Sequence, residues 1–409
     1  MNDFEKRRLK ILYIIPSFQH PKVRGPDRHY RIIRELSQRH DITLLTLVRS
    51  EIPDAILQEL ASYTSQIQTF GINSAANYAS RNNKSTNAMI FHRLHQLWEL
   101  RNTVKQMKKT FDHLVNANEY DVVLFHGKSV FPVISDFNSL PIVIDFCDAT
   151  SLRLRQRMMQ VKKVNLPLRW LQYFQVRQIE RKMLKKSPHI AFISGRDREA
   201  ILGPIDRFEI IPNGLDLDYW KRRSQNRRSN SLIFTGVMNY GPNKDAALFL
   251  IDEILPLLRK KVPGLELLIV GRDPTPSLVG RVKNNPEVTV TGYVDDMRIH
   301  LEQATIFVAP LRYGSGMQNK IQEALAVEVP VVATSIVAAG LRTEDGELPP
   351  IWVADGAQAF AERVVILLGD KGERGRLSIA GRKFAEKHFD WSRSAREFEQ
   401  MCFDAINNR

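Results

Sequence analysis

The chain has 409 residues, 43% of them hydrophobic and 25% charged, so it is a folded protein too long for one core of ordinary size. Two cysteines, Cys147 and Cys402, stand far apart, which argues against a disulfide framework and favours a reducing compartment. The formal net charge of +14 predicts an anionic partner: a phosphate compound, a nucleic acid or an acidic membrane surface.

The opening "MNDFEKRRLK" is charged and runs directly into a strand, so we expect no signal peptide. No stretch approaches the roughly 18 apolar residues that a membrane-spanning helix needs. The expected location is therefore the cytoplasm, as a soluble or peripheral protein.

The first half alternates buried strands with helices. The strand segments are "LKILYIIPSF", "DITLLTLV", "YDVVLFHG", "LPIVIDFCD", "HIAFIS" and "FEIIPNG", and "RIIRELSQR" and two longer stretches between them have helical spacing. Continuous apolar strands joined by helices predict βαβ units in a doubly wound parallel sheet.

A second series of strands begins after a polar stretch at 216–231. Its segments are "SLIFTGVM", "LELLIVGR", "VTVTGYV", "ATIFVAP", "PVVATS" and "PIWVAD". We therefore predict an α/β chain of two Rossmann-like domains facing across a cleft, at residues 1–215 and 232–388, with a linker at 216–231. A last helix at 389–409 is expected to pack back on the first domain.

Ligands of such folds bind at the carboxyl ends of the strands. One loop there, "PLRYGSGMQNKIQEALA" from Pro310 to Ala326, contains an arginine, a Gly-Ser-Gly turn, a lysine and a glutamate around the start of a helix. Packing explains its apolar residues, but it does not explain Arg312, Lys320 and Glu323.

This loop and its neighbours "FTGVMNYGPNKDA", "LIVGRD", "VTGYVDD", "VPVVATS" and "IPNGLDLDYW" resemble, in order and spacing, the GT-B glycosyltransferases. The resemblance is to the retaining glycosyl transferases group 1, or family 4, type, which includes bacterial mannosyl- and glucosyltransferases of polysaccharide assembly. The Arg-x-Gly-Ser-Gly-Met-Gln-Asn-Lys form is similar to exopolysaccharide-associated sugar transferases.

The resemblance implies a nucleotide-sugar donor whose diphosphate becomes the leaving group. Backbone N–H groups of Gly314, Ser315 and Gly316 and the charges of Arg312 and Lys320 are then expected to stabilise that diphosphate. Glu323 corresponds to the second glutamate of the family's Glu-x7-Glu motif, and is expected to bind the nucleotide ribose. The family usually works without a metal, so we expect neither a metal nor a cofactor.

Two departures from the family pattern stand out. Ser315 occupies the position of the motif's first glutamate, so a contact of that glutamate to the donor sugar must be replaced or lost. Val237 stands where relatives carry an arginine, and only Lys244, after a shift of one residue, matches their lysine. Lys320 is expected to take over part of that duty.

Further candidates follow strands of the first domain. His126 ends "DVVLFHG", where related mannosyltransferases have a histidine near the reacting sugar, and Asp148 follows "VIDFC". In "RGPDRHYR", Gly25 stands where the family commonly has a glycine pair. The backbone of this loop is expected to face the donor phosphates or the acceptor, and Arg28 is the residue there that we would test.

The predicted activity is transfer of a hexose from a nucleotide-diphosphate sugar to a lipid-linked or polysaccharide acceptor. One alternative is a non-hydrolysing nucleotide-sugar 2-epimerase, which shares the two-domain fold; Asn213-Gly214-x-Asp216 and the Gly-Ser-Gly loop favour transfer. Another is a basic nucleic-acid-binding protein, but the sequence contains no recognised binding module, so we expect no nucleic-acid partner.

The positive charge is concentrated between Ser151 and Ser187, where eleven Lys or Arg residues accompany one acid, Glu180, and several aromatic residues. Such a segment is typical of an interfacial element that lies on an anionic membrane. The alternative is a pair of ordinary helices with solvated charges. We expect peripheral association with the inner face of the plasma membrane.

Overall fold

The computed structural model describes residues 7–22, 27–72, 86–160, 166–204, 208–224, 226–343 and 345–408, with 86–94, 160, 166 and 168 described by their backbone alone. Among these residues, no helix combines the length and the apolar character needed to cross a bilayer.

The first domain is built on one parallel sheet. Its strands are β1 (Lys10–Ile15), β2 (Asp41–Val48), β3 (Gln66–Gly71), β4 (Val122–His126), β5 (Ile142–Cys147), β6 (His189–Phe192) and β7 (Glu209–Ile210). Their spatial order is β3-β2-β1-β4-β5-β6-β7, and every pairing between them is parallel.

Helices cover both faces of this sheet. They are α1 (Arg28–Leu36), α2 (Asp54–Ala61), α3 (Thr86–Ala117), α4 (Thr150–Gln160), α5 (Leu166–Lys186) and α6 (Gly195–Leu202), with a 3-10 helix at Lys128–Val133. Along β1, Ile11 and Tyr13 point into one core cluster, whereas Leu12 and Ile14 point into the other. This alternation explains why the strand is apolar at nearly every position.

The second domain repeats the plan. Its strands are β8 (Ser231–Thr235), β9 (Glu266–Val270), β10 (Val288–Val290), β11 (Ile306–Ala309), β12 (Val331–Ala333) and β13 (Trp352–Val353). They lie in the order β10-β9-β8-β11-β12-β13, again with parallel pairings. The predicted fold of two doubly wound parallel sheets is thus confirmed.

The remaining helices belong to this second half. They are α7 (Gly241–Phe249), α8 (Leu255–Arg259), α9 (Pro276–Val282), α10 (Met297–Gln303), α11 (Asn319–Ala326), α12 (Ser335–Ala339), α13 (Ala357–Gly369), α14 (Lys371–His388) and α15 (Trp391–Asn407); a π-helical turn at Leu250–Ile254 joins α7 to α8.

The last helix, α15, lies on the first domain. Its buried Phe398 and Cys402 share a core cluster with Ile32 and Leu36 of α1. Gly214 makes room for it, because a Cβ atom there would lie 2.4 Å from the backbone nitrogen of Trp391.

Residues 216–231, predicted as a linker, are bonded to the second domain. Arg222 donates to the carbonyl oxygen of Glu302 at 2.8 Å, and the backbone N–H of Arg223 donates to the Glu302 carboxylate at 2.9 Å. The last linker residue, Ser231, already begins β8. The polar sequence here therefore marks a crossing segment that is held in place.

Candidate functional site

The carboxyl ends of the two sheets meet at the boundary between the domains. The Ser315 hydroxyl, in the loop after β11, donates to Oδ2 of Asp148, directly after β5, at 2.9 Å. The N–H of Gly316 donates to Oδ2 of Asp197, in the first turn of α6, at 3.0 Å. The sequence-predicted loop therefore lies where two strand ends of the first domain face it.

Helix α11 brings Lys320 and Glu323 to this boundary. Ile321, Ala324 and Leu325 of the same helix are buried in the second domain's core, so the two charged side chains fall on the opposite side. The Lys320 ammonium donates to Oδ1 of Asn243 and lies 4.7 Å from the centre of the Phe234 ring.

Both charged groups are shifted towards neutrality. Burial lowers the pKa of Lys320 to about 7, although the charge of Glu323 opposes the shift. Burial likewise raises the pKa of Glu323 to about 7, with Lys320 opposing and Asp27 adding to the shift. A group that changes charge near neutral pH in a cleft is typical of a functional site.

Gly236 allows the lysine to reach this position. It follows β8 with φ +154, and a Cβ atom there would lie 2.5 Å from Nδ2 of Asn243 and 3.2 Å from Nζ of Lys320. Gly236 precedes Val237, the position at which the family pattern has an arginine. The space beside Gly236 is instead occupied by the ammonium group of Lys320, from α11.

Lys244 lies beside an open cavity of about 740 Å³ between the domains. Arg157 of α4 lines the same cavity from the first domain, and Tyr240 and Asn243 line it from the second. Arg153 also bridges the boundary, since its guanidinium donates to the Tyr240 hydroxyl at 3.3 Å. The cavity thus has positive groups on both sides, which suits a diphosphate.

The backbone N–H groups of the Gly-Ser-Gly turn, predicted to bind the donor phosphates, are paired with side chains of the first domain. Gly314 donates to Oε1 of Gln156 at 3.0 Å, and Gly316 donates to both carboxylate oxygens of Asp197. In this arrangement the turn joins the two domains, so phosphate binding by these N–H groups would require the contacts to open.

Arg312 does not point its charge at the cleft. Its guanidinium donates to both oxygens of Asp245, at 2.7 and 2.9 Å, and lies 4.5 Å from the centre of the Phe249 ring. The expectation that Arg312 adds a charge to the phosphate site stays a prediction, and in this structure a carboxylate on α7 balances this cation.

The expectation for Arg28 is corrected. It is buried at the start of α1, and its five N–H donors all have acceptors: two oxygens of Asp145, the carbonyl oxygens of Ile211 and Pro212, and Oδ1 of Asn213. No donor is left for a phosphate or an acceptor substrate. Gly25, in the same motif, lies outside the described residues.

His126 ends β4 with one ring nitrogen fixed. Its Nδ1 lies 2.9 Å from the carbonyl oxygen of Asp145, and because a carbonyl can only accept, Nδ1 must donate. Burial lowers the pKa of His126, so the neutral ring presents a lone pair at Nε2.

Within the described chain, His29, His126 and Asp145 form a group whose ligand atoms lie close enough to hold a metal ion. Both Asp145 oxygens, however, accept from Arg28, and Nδ1 of His29 is bonded to the Tyr13 hydroxyl at 2.6 Å. A buried guanidinium beside the group opposes a second cation there. The expectation of a metal-free site stays a prediction.

Sequence reasoning missed Gln156, Asp197, Arg153, Arg157 and Asn243. Asp197 follows Ser194 by three residues, and it accepts a hydrogen bond from the Ser194 hydroxyl while the Ser194 side chain caps α6. That spacing reads as helix capping, and only the fold shows the same carboxylate meeting the other domain. In the sequence, Arg153 and Arg157 stand out only as members of the basic segment between Ser151 and Ser187.

Known proteins resemble this chain in sequence and in fold. The family Glycosyl transferases group 1 matches residues 229–370. The phosphatidyl-myo-inositol mannosyltransferase of Mycobacterium leprae is 29% identical over 189 residues, covering 44% of this chain and 50% of the relative. A capsular polysaccharide biosynthesis glycosyltransferase, CapM of Staphylococcus aureus, is 26% identical over 163 residues, covering 39% of this chain and 43% of CapM. The chain thus spans about half the length of the curated relatives that it matches.

Solved structures match over nearly the full length. A glycosyltransferase from Rickettsia africae has a TM-score of 0.67 at 14% identity, covering 98% of this chain and all of that one. HepE of Anabaena, in complex with UDP, has a TM-score of 0.65 at 13% identity, covering 97% of this chain and all of HepE. Residues 229–370 therefore form a Glycosyl transferases group 1 domain, within a chain that has the two-domain GT-B fold of the glycosyltransferases.

Proposed function

We propose that this protein is a retaining glycosyltransferase that moves a hexose from a nucleotide-diphosphate sugar to a lipid-linked or polysaccharide acceptor. One observation carries the proposal: α11 places Lys320 and Glu323, both with a pKa of about 7, at the domain boundary, and Lys320 bonds Asn243, which lines an interdomain cavity with basic groups on both sides. The sequence relatives named above include a phosphatidyl-myo-inositol mannosyltransferase and a capsular polysaccharide enzyme, which supports the acceptor class.

Each group has a task that its chemistry suits. Lys320 and Lys244 stabilise the negative charge that grows on the leaving diphosphate. Glu323 accepts hydrogen bonds from the ribose hydroxyls. His126 offers Nε2 to a hydroxyl of the reacting sugar, because its other nitrogen is held by the Asp145 carbonyl.

The acceptor side is proposed to meet an anionic membrane. Helices α4 and α5 expose an apolar patch made of Met159 (72% exposed), Trp170 (43%), Leu171 (53%) and Phe174 (56%). Trp170 stacks on Phe174 with ring centres 5.7 Å apart, so these two rings form one apolar surface. Glu180, the one acid between Ser151 and Ser187, is fully buried, which leaves the segment's surface basic.

The first experiment is a thermal-shift screen with UDP, GDP, ADP and their sugars, because a ligand that binds only the native state raises its melting temperature. The nucleotide sugar that raises the melting temperature is then used as the donor to test transfer to a membrane-lipid extract. NMR of the product gives its anomeric configuration. Inversion would remove the retaining mechanism, and no response to any nucleotide would remove the proposal.

Variants of the two charged residues locate the site. Lys320→Ala and Glu323→Ala should each lower the catalytic efficiency with the donor by about tenfold or more, because each loses a hydrogen bond of a charged group. Lys260→Ala, an exposed lysine of the same domain, is the matched control. Unchanged donor kinetics in both folded site variants would place the donor elsewhere.

A further inference from the structure

An acidic side chain of the first domain is held inside the Gly-Ser-Gly loop of the second. The Ser315 hydroxyl donates to Oδ2 of Asp148 at 2.9 Å. Gly316 has φ +71, and a Cβ atom added there would lie 3.4 Å from Cβ of Asp148. The loop and Asp148 are therefore in direct contact across the domain boundary.

The Asp148 carboxylate is ionised and partly exposed at the domain boundary. Burial alone would raise its pKa, but the charges of Lys128 and Arg153 and the hydrogen bond from Ser315 outweigh burial and lower it. The side chain keeps 28% of its surface exposed, and Arg153 lies 3.7 Å away. A carboxylate accepts about four hydrogen bonds, so lone pairs remain for a ligand that enters the cleft.

The Asp148 carboxylate lies beside a position where the family pattern has an acidic residue. Ser315 occupies that position, eight residues before Glu323. Position 315 is buried and its side chain points at Asp148, so an acidic side chain in the same direction would bring its carboxylate towards the space that Asp148 now occupies. The second domain thus has no acidic side chain at position 315, and the first domain supplies Asp148 beside it.

We propose that Asp148 binds hydroxyl groups of the donor sugar, as a carboxylate supplied across the cleft in place of one at position 315. The inference rests on the proposed function and adds the residue that recognises the donor sugar. Glu323 belongs to the second domain, so that domain binds the nucleotide. Asp148 belongs to the first domain, so the sugar is recognised only when both domains are together.

The test separates sugar recognition from nucleotide recognition. Asp148→Asn keeps the size of the side chain and removes its charge. Its catalytic efficiency with the nucleotide sugar should fall about ten- to a hundredfold, while its affinity for the nucleoside diphosphate without a sugar stays within about twofold. Asp136→Asn, an exposed acid of the same domain, is the matched control and should change neither quantity.

A relocation variant keeps the test decisive if Asp148→Asn folds poorly. Ser315→Glu alone should lower activity, because two carboxylates would compete for one space. Ser315→Glu combined with Asp148→Ser should recover at least tenfold over Ser315→Glu, since one carboxylate is again present.

Several outcomes would overturn the inference. They are equal loss of affinity for the nucleotide and the nucleotide sugar in Asp148→Asn, unchanged kinetics in that variant, or no recovery in the double variant. Wild-type protein that binds no nucleotide would instead defeat the proposed function itself, so the two failures are distinguishable.

Discussion

Lys320 lies on α11, yet its ammonium contacts the end of β8, the region where relatives carry their own basic residues. Val237 and Asn243 are neutral there, and Asn243 accepts a hydrogen bond from the lysine. The sequence showed the missing charges and a nearby lysine. It could not show that the lysine spans the distance, because that depends on how α11 packs against β8.

The shifted pKa of Lys320 predicts how nucleotide affinity varies with pH. Since the folded-state pKa is lowered to about 7, the ammonium is lost as the pH rises from 7 to 9. The affinity for a nucleoside diphosphate should therefore weaken over this range, by at most about tenfold per pH unit. Calorimetric titrations at several pH values measure the effect.

Two variants assign that pH dependence to Lys320. Lys320→Arg stays charged and should flatten the profile above pH 7. Glu323→Gln removes the negative charge that opposes the lowering of the Lys320 pKa, so it should move the loss of affinity to lower pH. Wild-type affinity that stays level or rises between pH 7 and 9 would contradict the assignment.

At the scale of elements, the apolar strands were predictable and the polar ones were not. Every predicted strand of the second sheet is present. Strands β8, β11 and β12 are buried at every residue, which accounts for their mainly apolar sequences. The edge strand β3 was not predicted: its residues Gln66, Thr69 and Gly71 are exposed, and only one side of the strand is paired. Polar edge strands lack the pattern on which such a prediction depends.

Arg28 shows the same limit for a side chain. Its motif predicted a ligand contact, whereas the fold places the guanidinium between β5, the segment after β7 and α15. It bonds Asp145, the carbonyl oxygen of Ile211 and Oδ1 of Asn213, and lies 5.4 Å from the Phe398 ring centre. A residue that joins three separate segments cannot be recognised from its local sequence.

Removing this arginine should therefore affect stability. Arg28→Met leaves the buried Asp145 carboxylate without its guanidinium partner and with the backbone N–H of Cys147 as a remaining donor. Loss of one member of a buried ion pair costs about 3–5 kcal/mol. Urea unfolding should show the midpoint falling, with nucleotide affinity unchanged in the folded fraction. Arg34→Met, at an exposed position of the same helix, should unfold like wild type. Weaker nucleotide binding at unchanged stability would restore the ligand-contact interpretation.

At the scale of the whole molecule, the two domains are joined at the site itself. Arg196 donates to the carbonyl oxygens of Gly314 and Ile336, and Asn213 donates to Oδ1 of Asn319 at the start of α11. The sequence predicted two domains and a cleft between them. It could not predict which residues meet across the cleft, because those contacts arise only after both domains have folded.

The apolar patch of Met159, Trp170, Leu171 and Phe174 leads to a prediction for the whole molecule. Lys162 and Lys163, beside it in sequence, lie outside the described residues, and Lys186 is tied to the carbonyl oxygen of Ser135 and to Oδ1 of Asn138. Arg155 of α4 and Arg181 of α5 are exposed, and we therefore choose them, in place of these lysines, for charge reversal.

We expect the protein to co-sediment with vesicles containing anionic lipid and not with neutral vesicles. Each basic side chain near an anionic surface contributes about 1 kcal/mol, and salt screens the attraction. Arg155→Glu with Arg181→Glu, or Trp170→Gln with Phe174→Gln, should each lower the bound fraction about tenfold or more without changing nucleotide affinity. Leu348→Gln with Ile379→Gln, at positions 63% and 59% exposed in the second domain, controls for general loss of apolar surface. Equal binding of wild type to both kinds of vesicle, or equal loss in the control variant, would show that this patch is no membrane-binding surface.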